Sequence, residues 1–288
     1  MQKIFTGFIL SFLLCAGGIY AQCSDAGICI IGSKHKKSEI PRSALSFEYS
    51  VGSSGTSDLY NQTYTAHEFK FGADIKLSDK FFLNAVIPVL SFAYSNINTM
   101  SRNGLGDSKL LAVYTLPTGK LKNISFGGGL KLSTSSVEKD KFEYFNGYGT
   151  NDLLLGVDYN YSFFNISAGA QIPLTNYENN GIKFKRGSDI LFRAGYQRKA
   201  DDIVVRFEVL AIKRLNKSEY TDIYGYTNPI NSSDFFQMNI MGGLFYYFSK
   251  DISAGLNAYL PMLKRDENSD GTRRSFTVAA KINYSFDL

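Results

Sequence analysis

The sequence predicts an all-β protein: a single closed antiparallel transmembrane β-barrel of about twelve strands, spanning residues 43–288. Three observations predict it. Segments of about ten residues alternate apolar and polar side chains, the period that sends successive side chains to opposite faces of a strand. The connections between these segments are alternately short and long. After residue 21 no stretch approaches the ~18 apolar residues of a membrane helix. A closed barrel is the strand architecture that crosses a bilayer with every backbone N–H and C=O paired.

Residues 1–21 precede the fold and read as an export signal. Lys3 gives a positive start, residues 4–16 an apolar core, and Ile19-Tyr20-Ala21 a cleavage site before Gln22. Residues 22–42 are a polar, basic leader (Lys34, His35, Lys36, Lys37) closed by Pro41, expected to hang in the periplasm or to fold into the lumen as a plug. An exported compartment permits disulfides, so Cys23 and Cys29 are expected to close a small loop. A metal site is the weaker alternative, since only His35 lies nearby and zinc takes about four ligands. No metal and no cofactor is expected.

The strands follow as hairpins. Segment 43–52 comes first, and 62–77 and 81–94 are joined by the turn Ser78-Asp79-Lys80; 105–116 and 121–133 turn at residues 117–120. Segments 151–161 and 163–174 reverse at Ser162, 188–198 and 203–213 at residues 199–202, and 234–248 and 252–261 at Ser249-Lys250-Asp251. Segment 275–288 closes the ring. It gives the cleanest alternation, with Phe276, Val278, Ala280, Ile282, Tyr284 and Phe286 on one face and Ser275, Thr277, Ala279, Lys281, Asn283 and Ser285 on the other. Segment 151–161 alternates equally well except at Leu154. The short turns are expected in the periplasm and the long connections (53–61, 95–104, 134–150, 175–187, 214–233 and 262–274) outside the cell.

A threefold echo runs through the chain: Asn84-Ala85-Val86-Ile87-Pro88-Val89, Gly169-Ala170-Gln171-Ile172-Pro173-Leu174 and Asn257-Ala258-Tyr259-Leu260-Pro261-Met262. Proline has no N–H for the ladder, so each is expected where its strand leaves regular pairing. Duplication of a four-strand unit and convergent hairpin composition both account for the echo.

With 31 basic and 26 acidic residues the net charge is a mild +5, which gives no case for nucleic acid. Trp is absent, so Tyr and Phe must supply the interfacial girdles; Tyr60, Tyr64, Tyr94, Tyr159, Tyr161, Tyr246 and Phe248 lie near strand ends.

Parity sends many charges inward: Glu48, Asp74, Asp107, Asp152, Asp158, Asp189 and Glu208, against Lys70, Lys76, Lys109, Lys131, Arg193, Arg206 and Lys281. Such charges need partners, for example Asp107 or Asp158 with Lys131. They form either a structural polar core or a constriction that selects solutes. A ring of about twelve strands lies between a side-chain-filled interior and an open aqueous channel, so a narrow or occluded lumen is expected. Gly127 and Gly129 leave space inside, and Gly128 thins the outer wall, a candidate lateral exit. Aromatic loops (Phe142, Tyr144, Phe145, Tyr148; Tyr220, Tyr224, Tyr226) could capture ligand at the mouth or pack within the loops.

Several short motifs carry a resemblance. They are Asn103-Gly104-Leu105-Gly106-Asp107 running on to Tyr114, Leu116-Pro117-Thr118-Gly119, Ile87-Pro88, and Gly149-Thr150-Asn151-Asp152-Leu153-Leu154-Leu155-Gly156. Over residues 43–288 the chain resembles the outer-membrane barrels named after the meta-pathway of phenol degradation, with a leader like those of Bacteroidetes-type barrels. The resemblance implies a transporter of small hydrophobic or aromatic molecules. The chain departs from the fatty-acid transporters in being shorter, with fewer strands, and a large hatch domain is not expected.

The expected protein is therefore a monomeric, porin-like barrel of a Gram-negative-type outer membrane. Its partners would be lipid, the barrel-assembly machinery and a small hydrophobic solute that crosses passively. A structural or adhesion barrel is one alternative. A lipid-modifying enzyme is the other, and His67 faces outward as such a site would need, but Phe69 stands where a His-x-Ser pair would place serine.

Overall fold

The computed structural model describes residues 42–56, 63–95, 101–119, 122–135, 149–179, 181–231, 233–263 and 272–287. The chain forms an antiparallel meander whose ends meet. β1 (Ser43–Thr56), β2 (Thr63–Lys76) and β3 (Phe81–Ser95) come first. β4 (Ser101–Leu105) and β5 (Ser108–Gly119) are one wall strand interrupted at Gly106-Asp107. β6 (Lys122–Leu132), β7 (Asp152–Tyr161) and β8 (Phe164–Pro173) continue the wall. Two short strands, β9 (Tyr177–Asn179) and β10 (Ile182–Lys185), then rise above it before β11 (Asp189–Ala200) and β12 (Ile203–Arg214). β13 (Glu219–Thr221) and β14 (Thr227–Pro229) rise again, and β15 (Phe236–Tyr247), β16 (Ile252–Leu263) and β17 (Thr272–Phe286) complete the ring. β1 pairs with β2 on one side and with β17 on the other, from Ser43↔Phe286 to Thr56↔Thr272, so the twelve-stranded sheet has no edge. Closure satisfies the backbone groups that lipid cannot.

The short turns have local causes. The Ser78 Oγ accepts the Phe81 amide at 3.1 Å, and the Ser249 Oγ accepts the Ile252 amide at 3.1 Å. Ser162 and Asp201 take positive φ (53° and 52°) at two-residue reversals, the left-handed geometry that matches a twisted hairpin. Below this end Arg42 ties the start of β1 to Asp287 (2.7 Å) and to Asp251 (2.6 Å).

The outer wall is apolar. Phe47, Phe71, Leu110, Phe126, Leu155, Ile166, Phe192, Phe207, Leu256 and Ile282 are all exposed, one set of alternate positions around the ring. Lys122 and Arg198 at the short-turn end and Lys213 at the other are outward-facing charges at strand ends. Tyr159, Tyr161, Tyr246 and Phe248 lie exposed near the short-turn end, as girdle residues do. An apolar belt on a closed ring makes this an outer-membrane barrel.

Of the three echoed prolines, Pro173 ends β8 as expected, and Pro261 lies beyond the last β16–β17 pair. Pro88 differs. β3 stays paired with β2 past it as far as Ser95↔Thr63, because the neighbouring strand breaks instead: at Gly106-Asp107 the register slips and the Gly106 amide bonds the Pro88 carbonyl at 2.9 Å. The loops at 175–187 and 214–233 are also not plain coil. β9, β10, β13 and β14 build a separate four-stranded sheet above the mouth. The leader, the Cys23–Cys29 pair, Tyr60 and the aromatic residues 142–148 lie outside the described residues.

Candidate lumen site

Register fixes which residues face inward. The row Asp74↔Ala44 and Lys70↔Glu48 on β1–β2, Lys109↔Lys131↔Asp152 on β5–β7, and Arg193↔Ser167 on β8–β11 all lie on the face opposite the apolar belt. Glu48, Lys70, Asp74, Asp107, Lys109, Lys131, Asp158, Asp189, Arg193, Arg206, Glu208 and Lys281 therefore share the interior, but they separate into three groups.

The first lies at the extracellular mouth and runs around half the ring, from the β4–β5 break to β12. Asp107 meets Lys131 at 2.9 Å, Lys131 meets Asp152 at 3.2 Å, Asp152 meets Arg186 at 2.9 Å, Arg186 meets Asp189 at 2.5 Å, and Asp189 meets Arg214 at 2.9 Å. Gln171 donates to Asp152, and Thr150 donates to the same carboxylate at 2.7 Å. Acids and bases alternate, and every member is buried. Arg186 comes from the connection after β10, so this chain of charges fastens the extracellular sheet to the wall. Arg214 Nη1 also donates to the Ser218 Oγ (3.3 Å), whose hydroxyl accepts the Gly187 amide (3.2 Å), which links the two loops.

The second group lies lower, on β7, β8, β11 and β12. Arg193 stands 3.6 Å from Asp158 and 4.0 Å from Glu208, while Arg206 binds Glu208 closely. The expected Asp158–Lys131 pair does not form: register puts Lys131 opposite Asp152 and Asp158 opposite Ser125 and Ser167. The third group is on the facing sector of the ring. Lys70 bonds Glu48 (3.2 Å) and Glu68 (2.6 Å), with Lys281 opposite Glu48 in register. Asn84 donates to Asp74 at 2.5 Å, and Lys76 reaches Asp79 at 2.7 Å in the periplasmic turn.

Between the upper chain of charges and the lower group the inner wall is apolar. Leu111, Leu154, Leu191, Leu210 and Ile212 face inward and are buried. Leu154, the lone exception to the alternation of its segment, belongs to this layer. Gly127, Gly156 and Gly169 lie side by side across β6–β8 just below it. Gly129 does not add space: a Cβ there would come within 2.1 Å of the Leu110 carbonyl oxygen, so this glycine permits close approach of β5 and β6. At Gly128 the ladder is continuous on both sides, to Ala112 and to Leu155, and the wall has no gap there.

Tyr224 and Tyr226 lie at the tip of the β13–β14 hairpin, 80% and 71% exposed. The Asp222 carboxylate accepts the amides of both at 2.9 Å and holds the tip in shape. On the outer wall Nδ1 of His67 and the Tyr49 hydroxyl are 2.7 Å apart. At the periplasmic rim Arg42 holds the Asp287 carboxyl below its usual range, and Lys76 does the same to Asp79, in both cases through a side-chain hydrogen bond.

Glu68, Arg186, Arg214 and the leucine layer were not foreseen from sequence. Glu68 shares the parity of Lys70, and Arg214 lies one residue past its predicted strand; Arg186 sits in a connection where no alternation exists to mark it.

No family model and no curated protein matches the chain. Among solved structures, an outer-membrane channel from Pseudomonas putida F1 superposes with a TM-score of 0.69 at 11% identity, covering 86% of this chain and 96% of that one. The transport unit of the autotransporter AIDA-I from Escherichia coli gives 0.49 at 12% identity (88% and 93% covered), and the NanC porin 0.48 at 11% (85% and 100%). At this identity the first likeness is one of fold.

Proposed function

We propose that the protein is an outer-membrane channel through which a small, apolar or aromatic solute passes without energy input. The observation that carries this reading is the layered interior. A pore for hydrated solutes would keep its inner wall polar, whereas here Leu111, Leu154, Leu191, Leu210 and Ile212 form an apolar layer between two charged groups. On the β5–β12 side this layer offers an apolar solute a surface, while Asn84, Gln237 and Asn239, the register neighbours of Leu111, Ile212 and Leu210, keep the flanking wall polar. The charged residues above and below it would form the constriction, and the near-balance of their signs disfavours strong ion selectivity. The outer-membrane channel that superposes over almost its whole length fits the same reading. So does the resemblance to the meta-pathway barrels.

In this reading residues 1–21 are removed on export, and residues 22–42, closed by a Cys23–Cys29 disulfide, are the periplasmic leader or plug. The protein inserts through the barrel-assembly machinery and works as a monomer. Vesicle swelling tests it, with solutes graded from sugars to aromatic alcohols and with a deletion of residues 22–42 beside the intact mature chain. Faster flux of the apolar members, and a further rise on deletion, are expected. Equal impermeability to every solute in both proteins would end the channel reading.

One observation favours a second reading. The rigid tip bearing Ile223, Tyr224 and Tyr226 is highly exposed, which suits a barrel that acts by outside contact. Deleting residues 222–226 would abolish such contact and leave solute flux unchanged.

A further inference from the structure

The outer wall carries its cations unevenly at the short-turn end. On the β6–β11 side Lys122 and Arg198 point outward, below a wall that is otherwise apolar. The Lys122 ammonium lies over the Tyr161 ring, 5.1 Å from its centre, and the Arg198 guanidinium lies over the Phe163 ring at 5.9 Å. Lys122 begins β6 and Arg198 is near the end of β11, so both lean toward the β7–β8 hairpin between them. The floor they share is aromatic. Tyr161, Phe163 and Phe164 are exposed, and Tyr196 packs on Phe163 at 6.1 Å and on Phe164 at 5.3 Å.

Neither cation has an ion-pair partner among the described residues. The nearest acids in sequence, Asp201 and Asp202, belong to the β11–β12 turn beyond Ala200. The facing rim differs. There Arg42 is bonded to Asp287 and Asp251, and Lys76 to Asp79. The exposed side chains of its outer wall, Leu45, Ile252 and Tyr284, are uncharged. A cation above a ring keeps N–H groups free on its far side, and the ring replaces only part of its hydration. At the membrane interface the phosphate of an anionic lipid supplies the missing acceptor. The acyl chains of such a lipid then continue along Phe126, Tyr159 and Ile166, all exposed on the wall above.

We infer that the β6–β11 sector of the periplasmic rim is a binding site for an anionic phospholipid, with Lys122 and Arg198 holding phosphate and the four rings supporting the glycerol and upper chains. A headgroup that carries its own ammonium suits the site less well, because that charge would face Lys122 or Arg198. The inference goes beyond the channel reading and needs only the ring in its bilayer.

The chain has no Trp, so a single one reports on the lipid beside it. Ile166→Trp places it above the site and Ile282→Trp on the facing sector; the two side chains are similarly exposed, at 60% and 55%. Each mature-chain variant is reconstituted in phosphatidylcholine bilayers, and quenching by brominated phosphatidylglycerol is compared with quenching by brominated phosphatidylcholine. The Ile166→Trp barrel should favour phosphatidylglycerol about fivefold, the gain one cation gives at an anionic surface. The Ile282→Trp barrel should favour neither lipid. Adding Lys122→Gln and Arg198→Gln to Ile166→Trp should remove the preference, whereas Lys122→Arg with Arg198→Lys should keep it. Heat-modified migration on gels verifies folding of each variant. If the glutamine variant fails to fold, salt decides on the Ile166→Trp barrel: raising the ionic strength from about 0.05 to about 0.5 M must weaken the preference. The same ratio at both reporters, a preference that survives both glutamines, or one indifferent to salt overturns the inference.

Discussion

Arg186→Ala is the most informative perturbation of the upper charges. Arg186 lies off the barrel wall, in the connection between β10 and β11, and bridges Asp152 at 2.9 Å and Asp189 at 2.5 Å; all three side chains are fully buried. Removing one partner of a buried pair costs about 3–5 kcal/mol. Both carboxylates keep another cation, Asp152 having Lys131 at 3.2 Å and Asp189 having Arg214 at 2.9 Å. The expected loss is therefore at the lower end, about 3 kcal/mol. It falls first on the β9–β10 hairpin, which can open while the ring stays paired. At 1.4 kcal/mol per factor of ten, the opened fraction rises about a hundredfold. Trypsin reads this at Lys183 and Lys185, whose side chains are exposed but whose backbone is held in β10. Where opening and closing are fast relative to cleavage, the cleavage rate follows the open population. Wild-type cleavage rates in a folded Arg186→Ala barrel would refute the role of Arg186 as the fastening.

Lys131→Met leaves Asp107 and Asp152 facing each other's charge in a buried site, so it should cost about 3–5 kcal/mol in urea unfolding. Lys183→Ala, which breaks an exposed pair with Glu178, should cost under about 1 kcal/mol in the same assay. Gly129→Ala should lose about 1–3 kcal/mol through its clash with Leu110. Gly128→Val should fold normally, its Cβ lying 3.8 Å from Leu155, and unchanged apolar flux in it would remove a lateral exit at that point. The Asp287 carboxyl is depressed by Arg42, so its contribution is present above the unfolded carboxyl pKa of about 3.9 and is lost as pH falls through the lower folded value. Arg42→Ala should thus lower the thermal midpoint at pH 7, with the effect shrinking as pH falls below the ordinary carboxyl range, and an effect independent of pH would contradict the clasp.

The ring was legible because its solvent imposes a rule at every second residue. From Phe276 to Phe286 no apolar outward position is missed, and the strand ends of β2, β7, β8 and β12 lie within a residue of those the alternation predicts. The same parity placed Glu48, Lys70, Asp158 and Arg193 inside. It could not say which charges meet, because partners are set by register across strands far apart in sequence: Asp158 faces Ser125 and Ser167, not Lys131. It also could not find Arg186. A side chain that enters the lumen from a loop obeys no period, and β9, β10, β13 and β14 are too short, at three or four residues, to display one. The leucine layer was visible only as the misfit at Leu154, since an inward apolar residue in a membrane strand looks like an error until its neighbours are known.

The layering also fixes where the barrel can yield. Opening the mouth would separate buried charges 2.5–3.2 Å apart, and each broken pair would leave a buried charge behind. The extracellular sheet is therefore held to the upper wall more tightly than the lower group is held together. The lower group has a cheaper alternative. Arg193 lies between two carboxylates at 3.6 and 4.0 Å, so a shift toward Glu208 exchanges one long contact for a shorter one. If solute crosses this barrel along the β5–β12 wall, the side chain that moves is Arg193. Replacing it with methionine should then raise basal conductance in planar bilayers, whereas Arg214→Met at the mouth should not. The reverse order would place the gate at the mouth.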